Sequence, residues 1–189
     1  MRKGILIIVF VILGVLSGLF VNSFRSNSQT PSTPRHITTP TPAIASPQRL
    51  VIDKLGINAD VEEVALTTTG AMDVPKAWEN VGWYKLGAKP GETGNAVIAG
   101  HLDSPTAPAV FYKLNQLELG DIITVQDTTG QKRNFKVVDK QTYPDAGFPL
   151  ELVFGRTDKK RLNLITCQGS FNQSTKLYSH RLVVFTEPI

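Results

Sequence analysis

The sequence predicts a mainly β domain, a closed or nearly closed antiparallel-rich barrel, behind an N-terminal membrane helix and a disordered stalk. Three observations predict this. Short β-prone runs alternate with Gly, Pro, Asn and Asp clusters from residue 49 to residue 189. Within that range no amphipathic helical pattern continues beyond about three turns. An apolar run and a Pro-, Ser- and Thr-rich segment come first. Many short strands without alternating long helices are typical of barrels.

Residues 4–24 form an uncharged apolar run, preceded by Arg2 and Lys3. As a helix this run would reach about 30 Å, roughly one hydrocarbon thickness. Basic residues on its N-terminal side favour a cytoplasmic N-terminus. We therefore expect residues 1–24 to be a cytoplasmic tip and a single-pass anchor in the cell membrane, with an extracytoplasmic domain after it. A cleaved signal peptide is the alternative, but the run is long and no small-x-small cleavage site follows it.

Residues 25–48 contain five prolines among nine Ser or Thr residues. Such a segment buries too little apolar surface to fold, and its prolines favour extended conformations. We expect a linker here, and we interpret His36 within it as a solvated side chain. The folded domain is expected at residues 49–189.

The formal charge of +4 lies in the N-terminal quarter of the chain. Residues 1–48 hold four basic residues and no acidic one, which leaves 16 basic against 16 acidic residues in the remainder. A neutral domain lacks the electrostatic surface that phosphate backbones require. Nucleic acid is therefore not an expected partner.

The β-prone runs predict at least seven strands. They lie at residues 50–52, 59–64, 95–100, 121–125, 135–138, 162–167 and 182–186. The turn at residues 127–130 between the fourth and fifth runs indicates a hairpin. Short helices are expected at residues 108–117 and 149–154.

Cys167, the only cysteine in the chain, ends the run at residues 162–167. One cysteine cannot form an intramolecular disulfide in an extracytoplasmic domain. Cys167 is then either a small buried hydrophobic residue or a reactive thiol. The sequence by itself leaves both interpretations open.

Two residues, His101 and Arg181, qualify as partners of a reactive thiol. His101 follows a β-prone run where a strand gives way to a loop, a position typical of catalytic groups, although it could also cap a neighbouring carbonyl. His180 and Arg181 are adjacent on a strand and point to opposite faces, so only one of them can share a site with Cys167. Arg181 is the better oxyanion partner, because its planar donors are always charged. A surface salt bridge is the alternative for Arg181.

Other kinds of site have no support in the spacing of residues. The chain has no Cys-x-x-Cys, His-Glu-x-x-His, P-loop or Gly-x-Gly-x-x-Gly motif. The acidic residues Glu62, Glu63 and Asp145 form no recognisable calcium-ligand pattern. We expect no metal and no cofactor.

The segment Asn163-Leu164-Ile165-Thr166-Cys167 is similar to the sortase signature Thr-Leu-x-Thr-Cys, with Asn163 departing at the first position. The segment 95–103 resembles the one around the family's histidine, and Arg181 opens the strand after the cysteine loop as the family's arginine does. The segments 81–84 and 90–95 resemble the class F and E branch in particular. The resemblance covers residues 49–189.

This resemblance implies an eight-stranded sortase-type β-barrel and a cysteine transpeptidase. It assigns Cys167 as nucleophile, His101 as proton donor and acceptor, and Arg181 as stabiliser of substrate and oxyanion. We expect substrate-binding residues beside them, at Thr166, Ile165 and Ala99.

Such an enzyme cleaves a Leu-Pro-x-Thr-Gly-like sorting signal on a surface protein and holds the acyl group as a thioester. It then passes that group to an amine, such as a cell-wall precursor or a pilin lysine. We expect the thiol and the imidazole to titrate as a coupled pair, with a minority protonation state active. The alternatives are a sortase-fold thiol hydrolase and a non-catalytic, membrane-tethered β-domain with an inert cysteine.

Overall fold

The computed structural model describes residues 43–189, which contain eight strands, one α-helix and two 3-10 turns. The strands are β1 (Pro47–Ile52), β2 (Ile57–Val64), β3 (Val81–Tyr84), β4 (Gly94–Gly100), β5 (Ile122–Asp127), β6 (Lys132–Pro144), β7 (Lys160–Asn172) and β8 (Leu177–Pro188). The helix α1 is Leu150–Phe154, and the 3-10 turns are Asp53–Leu55 and Leu114–Gln116.

The eight strands close into a barrel in the order β1-β2-β3-β4-β7-β8-β6-β5. Two neighbouring pairs, β2–β3 and β4–β7, are parallel, and the other six are antiparallel. A parallel pair needs a long crossover connection, since both strands must start at the same end. The segments between β2 and β3 and between β4 and β7 therefore pass from one end of the barrel to the other.

Strands β4, β7 and β8 are buried on both faces. Leu162, Leu164 and Val184 belong to the large cluster inside the barrel. The residues that alternate with them along the strands, such as Ile165 and Val183, belong to a second cluster on the outer face. Helix α1 covers this second cluster. Because successive side chains point to opposite faces, a strand buried on both sides reads as a continuous apolar run. This burial explains the unbroken runs in the sequence.

The segment predicted as a helix at residues 108–117 forms turns and a single 3-10 turn, so that prediction is wrong. Phe111, Leu114 and Leu117 are spaced by three residues and are completely buried in the interior cluster. A spacing of three matches the 3.0-residue period of a 3-10 turn, in which residues i and i+3 eclipse. The three side chains pack into the barrel interior, whereas the short helix predicted near residues 149–154 is confirmed as α1.

All seven predicted strands are present, most of them longer than their apolar runs. The eighth, β3, has only four residues, one of them Gly82. It is held by its neighbours, parallel to β2 and antiparallel to β4. The eight-stranded barrel implied by the family resemblance is confirmed.

The barrel begins before residue 49, the expected start of the domain. Pro47 opens β1, and the Ile44 carbonyl accepts a 2.8 Å hydrogen bond from Lys89 Nζ. The last residues of the expected linker therefore pack on the domain. The expected anchor, residues 1–24, and most of the linker lie outside the described residues. Among residues 43–189, no helix has the length and apolar character needed to cross a membrane.

Candidate active site

Cys167 on β7 lies directly opposite Arg181 on β8 in the antiparallel register. Directly opposite residues of an antiparallel pair project from the same face, with Cβ atoms about 5 Å apart. Cys167 has the same parity as Ile165, which belongs to the outer cluster. The thiol and the guanidinium therefore share the outer face of the barrel. His180 is instead opposite Gln168, on the alternate face.

His101 reaches the same face from β4. The parallel register pairs Ala99 with Ile165, and the Thr166 hydroxyl donates a 2.8 Å hydrogen bond to the Gly100 carbonyl. Extended two residues past the Ala99–Ile165 pair, one residue beyond the end of β4, this register puts His101 level with Cys167. Three neighbouring strands thus bring the histidine, the cysteine and the arginine to one end of the outer face.

The imidazole of His101 is held by two contacts. Its Nε2 lies 2.9 Å from the Pro75 carbonyl, and its ring packs 4.4 Å from the Trp78 ring, measured between centroids. A carbonyl oxygen only accepts, so Nε2 carries the hydrogen of this bond. In the neutral ring Nδ1 is then the basic nitrogen. His101 therefore caps a carbonyl with Nε2, and a role in proton exchange would fall to Nδ1.

Arg181 is anchored by three contacts. Its Nη2 lies 2.9 Å from Asp145 Oδ1, and its Nη1 donates to the carbonyls of Tyr178, at 3.3 Å, and His180, at 3.1 Å. A guanidinium has five N–H donors in a planar fork. Nη1 donates to the two carbonyls and Nη2 is ion-paired with Asp145, so the remaining N–H groups of the fork can serve a bound group.

Cys167 is a free, half-buried thiol between charges of both signs. Burial raises the pKa of the Cys167 thiol, because a thiolate loses hydration there. The positive charge of Arg181 lowers this pKa, and the carboxylates of Asp103 and Asp145 raise it, with a net upward effect. The thiol is therefore the dominant form at neutral pH, and a reactive thiolate needs a protonated partner.

Two residues that the sequence did not single out lie beside this thiol. The Tyr178 hydroxyl donates a 2.5 Å hydrogen bond to Asp103 Oδ2, which joins the loop after β4 to the start of β8. This bond and burial raise the pKa of Tyr178 to about 12. Asp103 follows His101 by two residues and Tyr178 precedes Arg181 by three, but 75 residues separate the two partners. No local pattern could have paired them.

A β-bulge follows the cysteine on β7. The register with β8 shifts between Gln168 and Phe171, and Gly169 there has a φ of +85°. A Cβ at Gly169 would collide with Ser179 Oγ, so both conformation and space require glycine. The bulge separates the Cys167–Arg181 pair from the tip of the β7–β8 hairpin.

The three residues expected to bind substrate lie next to the site in different environments. Ala99 and Ile165 are on the outer face, in the row of residues adjacent to His101 and Cys167. Thr166 has the opposite parity, is 2% exposed, and uses its hydroxyl to bond Gly100. Thr166 therefore supports the strand pair that places His101. Substrate contact by these residues stays a prediction.

Asn163, which replaces the usual threonine of the signature, holds α1 against the barrel. Its Nδ2 donates to the Val153 carbonyl at 2.8 Å and to Asn95 Oδ1 at 3.1 Å. Asn95 in turn donates to the Gly155 carbonyl at 2.9 Å. Because the last carbonyls of a helix have no partner within it, these two amides terminate α1. The departure at residue 163 thus has a structural role on the outer face.

Within the described part of the chain, no group of three or more His, Cys, Asp and Glu side chains could hold a metal ion. The site is a thiol, an imidazole and a guanidinium with two nearby carboxylates. Such a set suits nucleophilic chemistry on a carbonyl, with a proton donor and a fixed cation in place.

Solved structures of other proteins have a similar fold. The sortase C-1 of Actinomyces oris aligns at 25% identity with a TM-score of 0.59, over 75% of this chain and 72% of its own. A lid mutant of sortase A from Corynebacterium diphtheriae aligns at 20% identity and a TM-score of 0.59, over 75% and 68%. Sortase D5 of Clostridium perfringens aligns at 22% identity and 0.56, over 75% and 77%.

No curated protein sequence matches the chain. The family model described as the sortase domain matches residues 50–189, which is nearly the whole described barrel and the three residues at its outer face. The chain belongs to the sortase family.

Proposed function

We propose that the protein is a cysteine transpeptidase that cleaves a Leu-Pro-x-Thr-Gly-like sorting signal and transfers the acyl group to an amine. The observation that carries this proposal is the placement of Cys167 directly opposite Arg181, with His101 just past the end of the neighbouring strand β4. Members of the sortase family are generally cysteine transpeptidases, and the fold and family of this chain are those of a sortase.

In the first half-reaction, Cys167 Sγ attacks the carbonyl carbon of the scissile bond. A C–S bond forms, and the carbonyl oxygen becomes an oxyanion beside the guanidinium of Arg181. The tetrahedral intermediate collapses by breaking the C–N bond. The leaving amine takes its proton from His101, and the acyl group remains as a thioester.

In the second half-reaction, an incoming amine attacks the thioester carbon and gives its proton to His101. The C–N bond forms, the C–S bond breaks, and the sulfur leaves as a thiolate that the imidazolium pairs with. Atoms and charges balance without a nucleotide, because the thioester retains the acyl potential of the cleaved bond. The starting thiolate–imidazolium pair is a minority state, since burial raises the pKa of the thiol.

The outer face offers a place for the acyl peptide. Ala99, Ile165 and Val183 form one row across three strands, directly next to the row of His101, Cys167 and Arg181. Ile165 and Val183 are buried in the outer cluster that α1 covers, so Ala99 is the residue of this row that is partly exposed. A peptide that passes over Ala99 would present its next carbonyl to the thiol.

The proposal also includes the sortase class of the protein and its location in the cell. We assign the protein to the class F and E branch, on the segments 81–84 and 90–95 that resemble it. The apolar run at residues 4–24 supports a single-pass membrane anchor with a cytoplasmic N-terminus and an extracytoplasmic catalytic domain. Its partners would be surface proteins with sorting signals and an amine acceptor on the wall or on a pilin.

The full-length protein in detergent, mixed with sorting-signal peptides and triglycine, tests this function. Mass spectrometry should detect a ligated peptide, and also a thioester on Cys167 when no amine is present. Cys167→Ala should abolish both. Cleavage to the free acid alone, with triglycine in excess, would favour the thiol hydrolase instead.

An inert Cys167 is the remaining alternative, and alkylation tests it. A methylthiosulfonate reagent should modify the half-buried thiol in the folded protein within minutes. Modification only after unfolding would favour a non-catalytic domain.

A further inference from the structure

A cavity of about 520 Å³ is lined in part by Trp78, whose ring also packs against His101. Its walls are the turn before β2, residues 55–59, the pair Trp78 and Glu79, and parts of the segment 104–113. We call it the end cavity, because its walls meet at the end of the barrel where β4 finishes. Its volume is within the range of pockets that hold small ligands.

The end cavity and the catalytic histidine share a wall. Trp78 lines the cavity and packs 4.4 Å from the His101 ring. Two backbone hydrogen bonds fix this wall: Val110 N donates to the Trp78 carbonyl at 3.0 Å, and Phe111 N donates to the His101 carbonyl at 2.9 Å. A ligand in the cavity would therefore end next to the imidazole.

The acyl peptide and the cavity occupy different sides of the site. Strands β4 and β7 run parallel toward the site, so Ala99 and Ile165 precede His101 and Cys167 on the outer face. The end cavity lies beyond the end of β4. The amine that leaves in the first half-reaction and the amine that attacks in the second pass through the same transition-state geometry. Both must therefore reach the thioester from the side opposite the acyl peptide.

The lining suits an amine-bearing chain. The exposed carboxylate of Glu79 can attract a protonated amine, and the exposed rings of Trp78 and Tyr112 offer faces for a cation. Lys113, also in the lining, supplies a positive charge for a carboxylate further along the same chain. Oppositely charged groups on one cavity match a short peptide with a free amino end.

We propose that the end cavity binds the amine-bearing peptide that accepts the acyl group, with Trp78 guiding its amino end to His101. This inference rests on the proposed transpeptidase function. Under this proposal the residues of the end cavity select the acceptor, and the residues that bind the sorting signal do not.

Two variants of the full-length protein test the proposal. Ala107 is exposed in the cavity lining, and only its backbone contacts Ser104. Ala107→Phe should fill the cavity and raise the KM for triglycine about tenfold, whereas Ala107→Ser should leave it unchanged. Glu79→Gln should raise the same KM several-fold, and Glu63→Gln, which removes an exposed carboxylate outside the cavity, should not. All four variants should hydrolyse the sorting-signal peptide at the parental rate when no amine is present.

A binding measurement does not depend on activity. The chain has two tryptophans; Trp83 is 3% exposed and Trp78 is 44% exposed. In the Cys167→Ala protein, triglycine should change the fluorescence of Trp78 with saturation, and Ala107→Phe or Trp78→Phe should remove the change. A parent enzyme that ligates triglycine while Ala107→Phe and Glu79→Gln keep its KM would overturn the acceptor site alone. A parent enzyme that cleaves no sorting signal would overturn the proposed function, and this inference with it.

Discussion

Replacing Arg181 by lysine is the sharpest test of the assigned site. The substitution keeps the positive charge opposite Cys167 and changes only the geometry of the donors. Arg181 donates from Nη1 to the carbonyls of Tyr178 and His180 and pairs with Asp145 through Nη2, and the rest of its planar fork can reach a substrate oxygen. A lysine has three N–H groups in all. If it kept the three anchoring contacts, no donor would remain for the oxyanion.

The expected loss follows from removing a donor to the oxyanion. Removing one oxyanion donor typically costs a factor of about 10²–10³ in kcat, or about 3 kcal/mol of transition-state stabilisation. We expect kcat for Arg181→Lys to fall at least about a hundredfold, with a smaller effect on the KM for triglycine. The rate of thiol alkylation should change little, because the charge that favours the thiolate is retained.

The assay is ligation of a sorting-signal peptide to triglycine, followed by mass spectrometry. Arg156→Lys is the matched control, since Arg156 is exposed and lies outside the site. Circular dichroism and a thermal melt should show that both variants fold. Ligation by Arg181→Lys within a few-fold of the parent rate would refute the assignment of Arg181 to the oxyanion.

Three further substitutions test other parts of the structure. Asp103→Asn should lower the pKa of Cys167, because the Asp103 carboxylate raises it, so the pH profile of thiol alkylation should move to lower pH; an unchanged profile would contradict this coupling. Thr166→Val leaves the Gly100 carbonyl without its hydroxyl partner and should cost about 1–3 kcal/mol in the free energy of unfolding, measured in urea, together with a lower kcat. Asp127→Asn should cost about 2 kcal/mol at pH 7, because hydrogen bonds and an ion pair lower the pKa of this buried carboxyl from 3.8 to about 2. A group with a lowered pKa stabilises the fold above its ordinary value, so the difference between Asp127→Asn and the parent should shrink as the pH falls from 4 toward 2, with ligation at pH 7 unaffected.

Residue type and alternation were enough to predict most strands of the barrel. Short motifs around Cys167, His101 and Arg181 were enough to predict that the site resembles that of the sortase family. Seven β-prone runs correspond to seven strands: β4, β7 and β8 are apolar at nearly every position because both faces are buried, and strands such as β1 and β5 bury alternate residues. The opposite orientation of His180 and Arg181 followed from the two-residue period of a strand alone. That Arg181 is the one opposite Cys167 depends on the register between two strands.

The features missed from the sequence depend on contacts between distant segments. Strand β3 has four residues and no strong pattern, and it exists because β2 and β4 pair with it. The segment at 108–117 has a spacing that fits a 3-10 turn as well as a helix, and burial in the barrel decides between them. Neither the Asp103–Tyr178 bond nor the contact of His101 with Trp78 has a local signature.

The bulge at Gly169 affects which changes in length the β7–β8 hairpin can accept. A one-residue change in a regular hairpin would turn every side chain after it to the other face, and would move Cys167 off Arg181. The bulge already breaks the register between this pair and the hairpin tip. The tip, residues 173–176, lies beyond this break, so we expect insertions there to lengthen the hairpin and leave Cys167 opposite Arg181.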